Sequence, residues 1–190
     1  MLAGAPVDLV SPAQAGMGDL EVEEDGVTFL ANAQKKARDY AEASGRPALA
    51  DDSGITVTAL GGRPGVQSAR FGGADLTAAD RNAKLLEALE GQPDRTAAYV
   101  CVIALAKPGG PASKVFLGRC EGRIAREPRG EGGFGYDPIF LLPDGRSMAE
   151  LGDEEKDNIS HRGRAVAELL SQLDLAQWAA SEPPQVTSGR

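Results

Sequence analysis

Residues 99–106 read YVCVIALA, a nearly continuous apolar run. Such a run is typical of a central β-strand that is buried on both faces. The turn Pro108-Gly109-Gly110-Pro111 follows, and residues 114–120 have the pattern of a neighbouring strand, so the two strands are expected to form a hairpin. Helical patterns precede and follow this hairpin. We therefore predict an α/β fold with a mixed central β-sheet flanked by helices.

Two helices are predicted before and between the strands from their end signals. Thr28 can cap a helix over residues 29–44, and Gly45 can end it because glycine readily takes the left-handed conformation found at helix C-termini. Thr77 and Asp80 have the spacing of a capping box, which marks the start of a second helix. The second helix is expected to have a structural role.

The remaining elements follow from shorter patterns. A third helix is predicted over residues 165–173, where apolar residues recur with helical spacing. Alternating residues predict a strand at 55–59, and apolar residues predict one at 139–142 and a short one at 7–10. Residues 51–54 are predicted to form an acidic turn at the end of a short apolar stretch.

The length and composition limit the domain organisation. The chain has 190 residues, of which 42% are hydrophobic and 25% charged, as in an ordinary globular protein. This length allows one domain with a substantial core, or at most two small lobes that share a cleft. We predict a single domain over residues 1–178, with a cleft between two lobes, and a flexible tail over residues 179–190.

Charge and hydropathy exclude several classes of partner. The net charge of -8 argues against a broad, non-specific grip on nucleic acid or on an anionic membrane. No apolar run approaches the roughly 20 residues that span a bilayer, and the start lacks a signal-peptide pattern, so we predict a cytoplasmic protein. Cys101 and Cys120 are predicted to be buried thiols, with a cross-strand disulfide as the less favoured alternative.

The stretch GGFGYDP at residues 132–138 combines flexible glycines, two aromatic rings and a carboxylate. Glycine permits the backbone to approach a ligand closely. Phe134 or Tyr136 can stack on a flat heterocycle, and Asp137 can accept a hydrogen bond from its edge. The stretch therefore predicts a loop that clamps a nucleotide base, with an ordinary tight turn around a core aromatic residue as the alternative.

Acidic residues occur at two places with a chemical use. A carboxylate of Asp51 or Asp52 can hold Mg2+ and orient or deprotonate a water, which is what hydrolysis of a phosphoanhydride requires. Only one of the two need enter the site, because neighbours on a strand point to opposite faces. The acidic run at residues 21–25 can supply a second ligand, but the pattern does not choose which. The alternative for Asp51 and Asp52 is an Asx turn, and the alternative for residues 21–25 is a solvated entry to the first helix.

Lys156, His161 and Arg162 bring hydrogen-bond donors and positive charge into an acidic protein, and His161 is the only histidine. Such donors bind the carbonyl oxygens of a base or the oxygens of a phosphate, and arginine does so in bidentate geometry. A structural role at the start of a helix is the alternative. The sequence contains no Walker loop, Cys-His metal spacing or Ser-His-Asp arrangement that competes for the chemistry.

Taken in order, these motifs resemble the Ham1 family of inosine triphosphate pyrophosphatases over about residues 20–175. The resemblance implies hydrolysis of ITP, dITP and XTP to the monophosphate and pyrophosphate, with Mg2+, which removes deaminated purines from the nucleotide pool. It also implies a homodimer. The matching stretches are EEDGVTF at 23–29 with Asn32-Ala33, ADDSG at 50–54, LGGRPGV at 60–66 with Ser68-Ala69-Arg70, residues 132–140, and Glu155-Lys156 with residues 160–163.

The resemblance also implies roles for individual residues. Asp52 is similar to the metal-binding aspartate that acts as general base, Glu23 is similar to the second Mg2+ ligand, and Ser53 would contact the substrate. The hydrogen-bond donors of the site suit a 6-oxo purine, whose O6 accepts where the amino group of adenine would donate. The residues that match the base-recognition set are Phe134, Gly135, Tyr136, Asp137, Lys156, His161 and Arg162.

The mechanism that we expect is attack of a Mg2+-activated water on the α-phosphorus, with pyrophosphate as the leaving group and no covalent intermediate. In this hypothesis Asp52 takes or directs the proton of the water.

The chain departs from the family pattern near its start. Family members begin with a strand and a Ser/Thr-x-Asn-x-x-Lys loop that holds the triphosphate, and no such motif precedes Glu23. The first strand and the phosphate loop are therefore expected to be missing from this chain. Ala31 also stands where the family usually has a glutamate. One alternative function is nucleotide binding with little or no catalysis, and another is hydrolysis of modified pyrimidine nucleotides.

Overall fold

The structure is a computed structural model that describes residues 7–181. Four strands form one sheet, in the order β1-β2-β3-β4. The four strands run antiparallel, so no parallel pairing of the expected mixed sheet is found among residues 7–181, while the predicted α/β class with flanking helices is confirmed. The strands are β1 (Ala48–Val57), β2 (Thr96–Ala106), β3 (Lys114–Ile124) and β4 (Phe140–Leu141).

Five α-helices lie within the described part of the chain. Of these, α1 and α2 begin at the predicted caps, and α4 contains the third predicted helix except for residue 173. Helices α3 and α5 were not predicted. The five are α1 (Phe29–Ser44), α2 (Ala78–Ala88), α3 (Asp153–Ile159), α4 (His161–Gln172) and α5 (Leu175–Ala180).

Strand β1 is longer than predicted, and this corrects the acidic turn expected at residues 51–54. The strand continues through these residues without a break. Gly54 makes this possible, because any side chain there would overlap the side chain of Ser68 in the 3-10 segment Gly65–Arg70. Ser68 Oγ instead accepts a hydrogen bond from the amide of Ile55 at 2.9 Å. The two aspartates therefore lie within a strand and not at the end of one.

The chain divides into two compact units, and the first contains residues up to 52, residues 102–117 and those from 165 onward. Its core is built from small side chains. Alanines at every fourth position of α1 pack against alanines and a valine of β1 and β2, which lets helix and sheet approach closely. The end signals of α1 are confirmed, since Thr28 Oγ1 accepts from the amide of Ala31 at 3.1 Å and Gly45 has a φ of 63°. The core residues are Ala33, Ala37, Ala41, Ala50, Val102, Ala104 and Ala106.

The second unit contains residues 53–101 and 118–164. Its core consists of larger aliphatic and aromatic side chains, each worth about 1.5–3 kcal/mol when fully buried. The predicted capping box of Thr77 and Asp80 is present at the start of α2. Tyr99 and Phe140 pack in this core with ring centroids 4.5 Å apart. Other members are Ile55, Val57, Leu85, Leu89, Ile124, Tyr136, Ile139 and Met148.

Several smaller expectations have definite outcomes. Residues 7–10 do not form the short strand that was expected. Both cysteines are buried and are not joined in a disulfide. Of the expected tail, residues 179 and 180 belong to α5, while residues 182–190 lie outside the described residues. The single domain over residues 1–178 stays a prediction. Among residues 7–181, no helix is long and apolar enough to cross a membrane.

Candidate functional site

Asp52 lies near the middle of β1, in the first unit, and only 7% of it is exposed. Asn32 of α1, 20 residues earlier in the chain, donates from Nδ2 to Asp52 Oδ2 at 2.9 Å. The other end of the same amide, Asn32 Oδ1, accepts from the backbone amide of Gly26 at 2.7 Å. The carboxylate that resembles a general base is therefore held in place by a neutral hydrogen-bond donor.

The acidic segment, residues 23–25, lies against α1. Lys36 binds Glu24 at 2.5 Å and Lys35 binds Asp25 at 2.7 Å. The hydrogen bond from Lys35 lowers the pKa of Asp25 below its usual value. Glu23 is exposed to solvent, as is Asp25. Within the segment, Glu24 and Asp25 are thus paired with lysines of α1, while the carboxylates of Glu23 and Asp25 are both exposed to solvent.

The donor chemistry of the first unit fits Mg2+. This ion prefers oxygen ligands and is usually bound by one or two carboxylates together with substrate phosphates. Residues 7–181 contain no group of three or more His, Cys, Asp or Glu side chains placed to hold a metal. The carboxylates of Asp52 and Glu23 offer oxygen ligands of the kind that this ion prefers.

Asp137, in the second unit, is only 2% exposed, and its carboxylate accepts three hydrogen bonds. Its Oδ1 accepts from the hydroxyl of Tyr99 at 3.0 Å, and its Oδ2 accepts from the amide of Phe134 at 2.8 Å and from Lys156 Nζ at 2.5 Å. Gly133 has a φ of 75°, and a side chain there would overlap the Asp137 carboxylate. Asp137 thus shapes the glycine-rich loop and holds Lys156.

The two aromatic residues of this loop lie in different environments. Phe134 is 63% exposed, and the ammonium of Lys156 lies 4.4 Å from the centre of its ring. Tyr136 is buried in the core, where its hydroxyl donates to the carbonyl of Ser68 at 2.8 Å. Gly135, between them, has a φ of 59°, which glycine adopts without strain. Of the two rings, that of Phe134 is accessible to a stacked base.

His161 is buried, and its ring stacks on that of Tyr99 with the centroids 4.7 Å apart. Burial, followed by the charge of Asp137, raises the pKa of Tyr99 well above its usual value, so the hydroxyl remains a donor. Arg162 donates from Nη2 to Ser53 Oγ at 3.0 Å. Tyr99 therefore connects the histidine to the carboxylate that holds Lys156.

Tyr99 and Asn32 are the residues whose contacts the sequence did not indicate. The sequence predicts Tyr99 only as part of an apolar strand, and its hydroxyl within that apolar run is the one available signal of a polar contact. Asn32 belongs to a stretch that matches the family, but the sequence predicts no role for it. Both contact their carboxylates across long stretches of chain, 38 and 20 residues respectively.

The buried hydroxyl of Tyr136 predicts a measurable pH dependence. Burial raises the pKa of Tyr136 from 10.0 to about 12. The folded state therefore holds this proton more tightly than the unfolded state, so its contribution to stability is complete below about pH 10 and is lost as the pH rises towards about 12. We expect the free energy of unfolding, measured with urea, to fall more steeply over this range in the wild type than in Tyr136→Phe. The same dependence of the free energy of unfolding on pH in both proteins would contradict the raised pKa of Tyr136.

The fold and these contacts define an α/β protein in which a strand carries a buried, amide-held aspartate and a glycine-rich loop presents an aromatic ring beside a lysine. The chain belongs to the Ham1 family, whose sequence profile matches residues 1–172. It is 53% identical to a dITP/XTP pyrophosphatase from Syntrophobacter fumaroxidans over 160 residues, covering 83% of this chain and 68% of the relative. It is 49% identical to one from Nitrosomonas europaea over 171 residues, covering 89% and 84%.

Solved structures agree with this assignment of the family. A HAM1 protein from Coxiella burnetii superposes with a TM-score of 0.83 at 45% identity, covering 90% of this chain and 87% of that one. The Ham1 protein from Staphylococcus aureus superposes with a TM-score of 0.77 at 44% identity, covering 80% of each chain. These identities are high enough for the fold and the family to be assigned together.

Proposed function

We propose that this protein hydrolyses the noncanonical purine nucleoside triphosphates ITP, dITP and XTP to the monophosphate and pyrophosphate. Relatives that are 53% and 49% identical are named dITP/XTP pyrophosphatase, which supports this substrate class. The geometric feature that carries the proposal is the exposed ring of Phe134, with the ammonium of Lys156 at 4.4 Å from its centre. A stacking surface beside a fixed donor suits a purine with an oxygen at position 6.

Lys156 is the residue that we assign to reading the 6-oxo group. Its ammonium has three N–H donors, one of which is used by Asp137. A purine stacked on Phe134 would place a carbonyl oxygen next to a donor, with His161 and Arg162 contributing further contacts. Adenine would instead present an amino group, which is itself a donor, and would leave the buried donors unsatisfied. The expected result is strong discrimination against ATP.

The reaction that we assign to the carboxylates is a hydrolysis without a covalent intermediate. The oxygen of a water forms a bond to the α-phosphorus, the bond from the α-phosphorus to the bridging oxygen breaks, and pyrophosphate leaves with that oxygen. Asp52 accepts or directs the proton of the water, and Ser53, held by Arg162, contacts the substrate. Mg2+, bound through Asp52 and Glu23, would neutralise phosphate charge and lower the pKa of the water.

The test of the function is pyrophosphate release by this 190-residue chain, with Mg2+, from ITP, dITP and XTP against ATP. We expect kcat/KM for the three deaminated nucleotides to exceed that for ATP by about 10²-fold or more, since a mispaired buried donor costs several kcal/mol. Equal rates with ATP would contradict the base assignment. Release from modified pyrimidine nucleotides alone would favour the alternative substrate class.

The second alternative from the sequence, a nucleotide-binding protein with little catalysis, is not favoured, because the relatives bear enzyme names. It remains distinguishable in the same experiment, since tight ITP binding by a folded sample without pyrophosphate release would identify it. Assembly as a homodimer and a cytoplasmic location are also part of the proposal. Light scattering during gel filtration would measure the former.

A further inference from the structure

Asn32 connects two parts of the first unit that carry carboxylates. Its side chain is almost fully buried, with 1% exposed. The amide donates to Asp52 Oδ2 at 2.9 Å and accepts from the amide of Gly26 at 2.7 Å. Gly26 directly follows the acidic segment, residues 23–25. The planar side-chain amide of Asn32, with a donor at one end and an acceptor at the other, therefore sets the positions of both Asp52 and the acidic segment.

Two further observations show that the acidic segment is held close to Asn32 and α1. A side chain at Gly26 would overlap Asn32 Oδ1. Glycine at this position therefore allows the acidic segment to approach Asn32. The ion pairs of Lys35 with Asp25 and of Lys36 with Glu24 hold the same segment along α1. The acidic segment is thus fixed on the helix, and of these contacts it is the Asn32 amide that also reaches Asp52.

We propose that Asn32 is a positioning residue for the Mg2+ site, which holds the Asp52 carboxylate and the acidic segment in one geometry before the ion and the nucleotide bind. The inference rests on the proposed function, because it concerns the Mg2+ ion that would assist the proposed hydrolysis. Its physical basis is that a ligand fixed by an outer hydrogen bond loses less conformational freedom when it binds a metal. Outer partners of this kind are typically worth about 10–100-fold in metal affinity or activity.

The test compares Asn32→Leu with the wild type. Leucine has a similar branched shape but no polar atoms, so it removes both hydrogen bonds. Thr28→Ala is the matched control, because it removes the cap of the same helix without changing either bond of Asn32. The dissociation constant of Mn2+ is measured by electron paramagnetic resonance without nucleotide. In parallel, the Mg2+ concentration for half-maximal rate and the KM for ITP at saturating Mg2+ are determined.

For Asn32→Leu we expect the dissociation constant of Mn2+ and the half-maximal Mg2+ concentration to rise by about tenfold or more. The KM for ITP at saturating Mg2+ should change by less than about threefold, and Thr28→Ala should leave all three values near those of the wild type. A folded Asn32→Leu protein with unchanged Mn2+ affinity would overturn the inference. So would a wild type that releases pyrophosphate from ITP but shows no saturable Mn2+ binding, and in that case the proposed function would stand.

If Asn32→Leu does not fold, Gly26→Ala tests the positioning role of Asn32 instead. The added methyl group overlaps Asn32 Oδ1 and disturbs the bond to the segment, while Asn32 and Asp52 both remain. Weakened Mn2+ binding in a folded Gly26→Ala protein would support the inference, and wild-type affinity would overturn it. If instead the wild type binds Mn2+ but releases no pyrophosphate from any nucleotide, the proposed function fails while the positioning role of Asn32 is still measured by Mn2+ affinity.

Discussion

Replacing Asp52 with asparagine is expected to lower kcat/KM for ITP by about 10³-fold, within the range that loss of a general base produces. The substitution removes the proton acceptor and a charged metal ligand together. Asparagine still has an oxygen that can accept the hydrogen bond from Asn32 Nδ2, so the fold should be preserved. The measurements are steady-state pyrophosphate release and thermal unfolding. Near-wild-type turnover in a folded Asp52→Asn protein would contradict the role given to this residue.

Asp51→Asn provides the control for that experiment, since it makes the same chemical change one residue earlier. Adjacent residues of a strand point to opposite faces, so the two carboxylates cannot occupy the same site. We expect Asp51→Asn to lower kcat/KM by far less than Asp52→Asn. The opposite order would show that the reacting aspartate had been assigned to the wrong position of β1.

Replacing Gly163 with alanine is expected to damage both stability and ITP hydrolysis. Gly163 lies in the first turn of α4, where a β-carbon would overlap the carbonyl oxygen of Asp157 in α3. Backbone cannot move aside as a flexible side chain can, so the two helices must shift. Because Lys156 lies on α3 and His161 and Arg162 begin α4, the shift displaces the residues that we assign to base recognition.

We expect the free energy of unfolding of Gly163→Ala, measured with urea, to fall by about 3 kcal/mol, at the upper end of the usual cost of overpacking. The KM for ITP should also rise in the fraction that folds. Gly152→Ala is the matched control, because Gly152 precedes α3, has a negative φ of -71°, and has open space where a β-carbon would be. Equal stability of the two variants would contradict the packing argument.

The parts of the fold that the sequence predicted well depend on contacts between residues close in the chain. The cap of α1 by Thr28 and the capping box of Thr77 and Asp80 are confirmed, because each joins residues three positions apart. Strand β2 was predicted because its burial on both faces leaves a continuous apolar run. Local chemistry and periodicity are enough to define such elements.

The parts that the sequence did not predict depend on distant contacts or on polar sequences. Strand β1 was interrupted in the prediction because Asp51 and Asp52 resemble a turn, whereas pairing within the sheet extends the strand through them. Helix α3 has no buried residue and hence no apolar period to detect. The contact of Tyr99 with Asp137 joins residues 38 positions apart, and spacing within one motif cannot indicate it.

The candidate site stays a prediction as a set of residues, and the structure adds contacts among them that the sequence did not indicate. The sequence left Phe134 and Tyr136 as equivalent stacking residues, and the structure exposes one and buries the other. It also predicted that Asp137 accepts a hydrogen bond from the base, which stays a prediction, and it did not indicate that the buried carboxylate accepts hydrogen bonds from Tyr99, Phe134 and Lys156. Burial depends on the whole fold, which is why the residue types alone could not decide between these roles.

The most direct test of the central claim is hydrolysis of ITP by the wild-type protein in water enriched in oxygen-18, with the products analysed by mass spectrometry. Attack on the α-phosphorus predicts inosine monophosphate that carries one labelled oxygen and pyrophosphate that carries none, and ATP in the same mixture should remain intact. Inosine diphosphate with labelled inorganic phosphate, or labelled pyrophosphate, would contradict the proposed reaction.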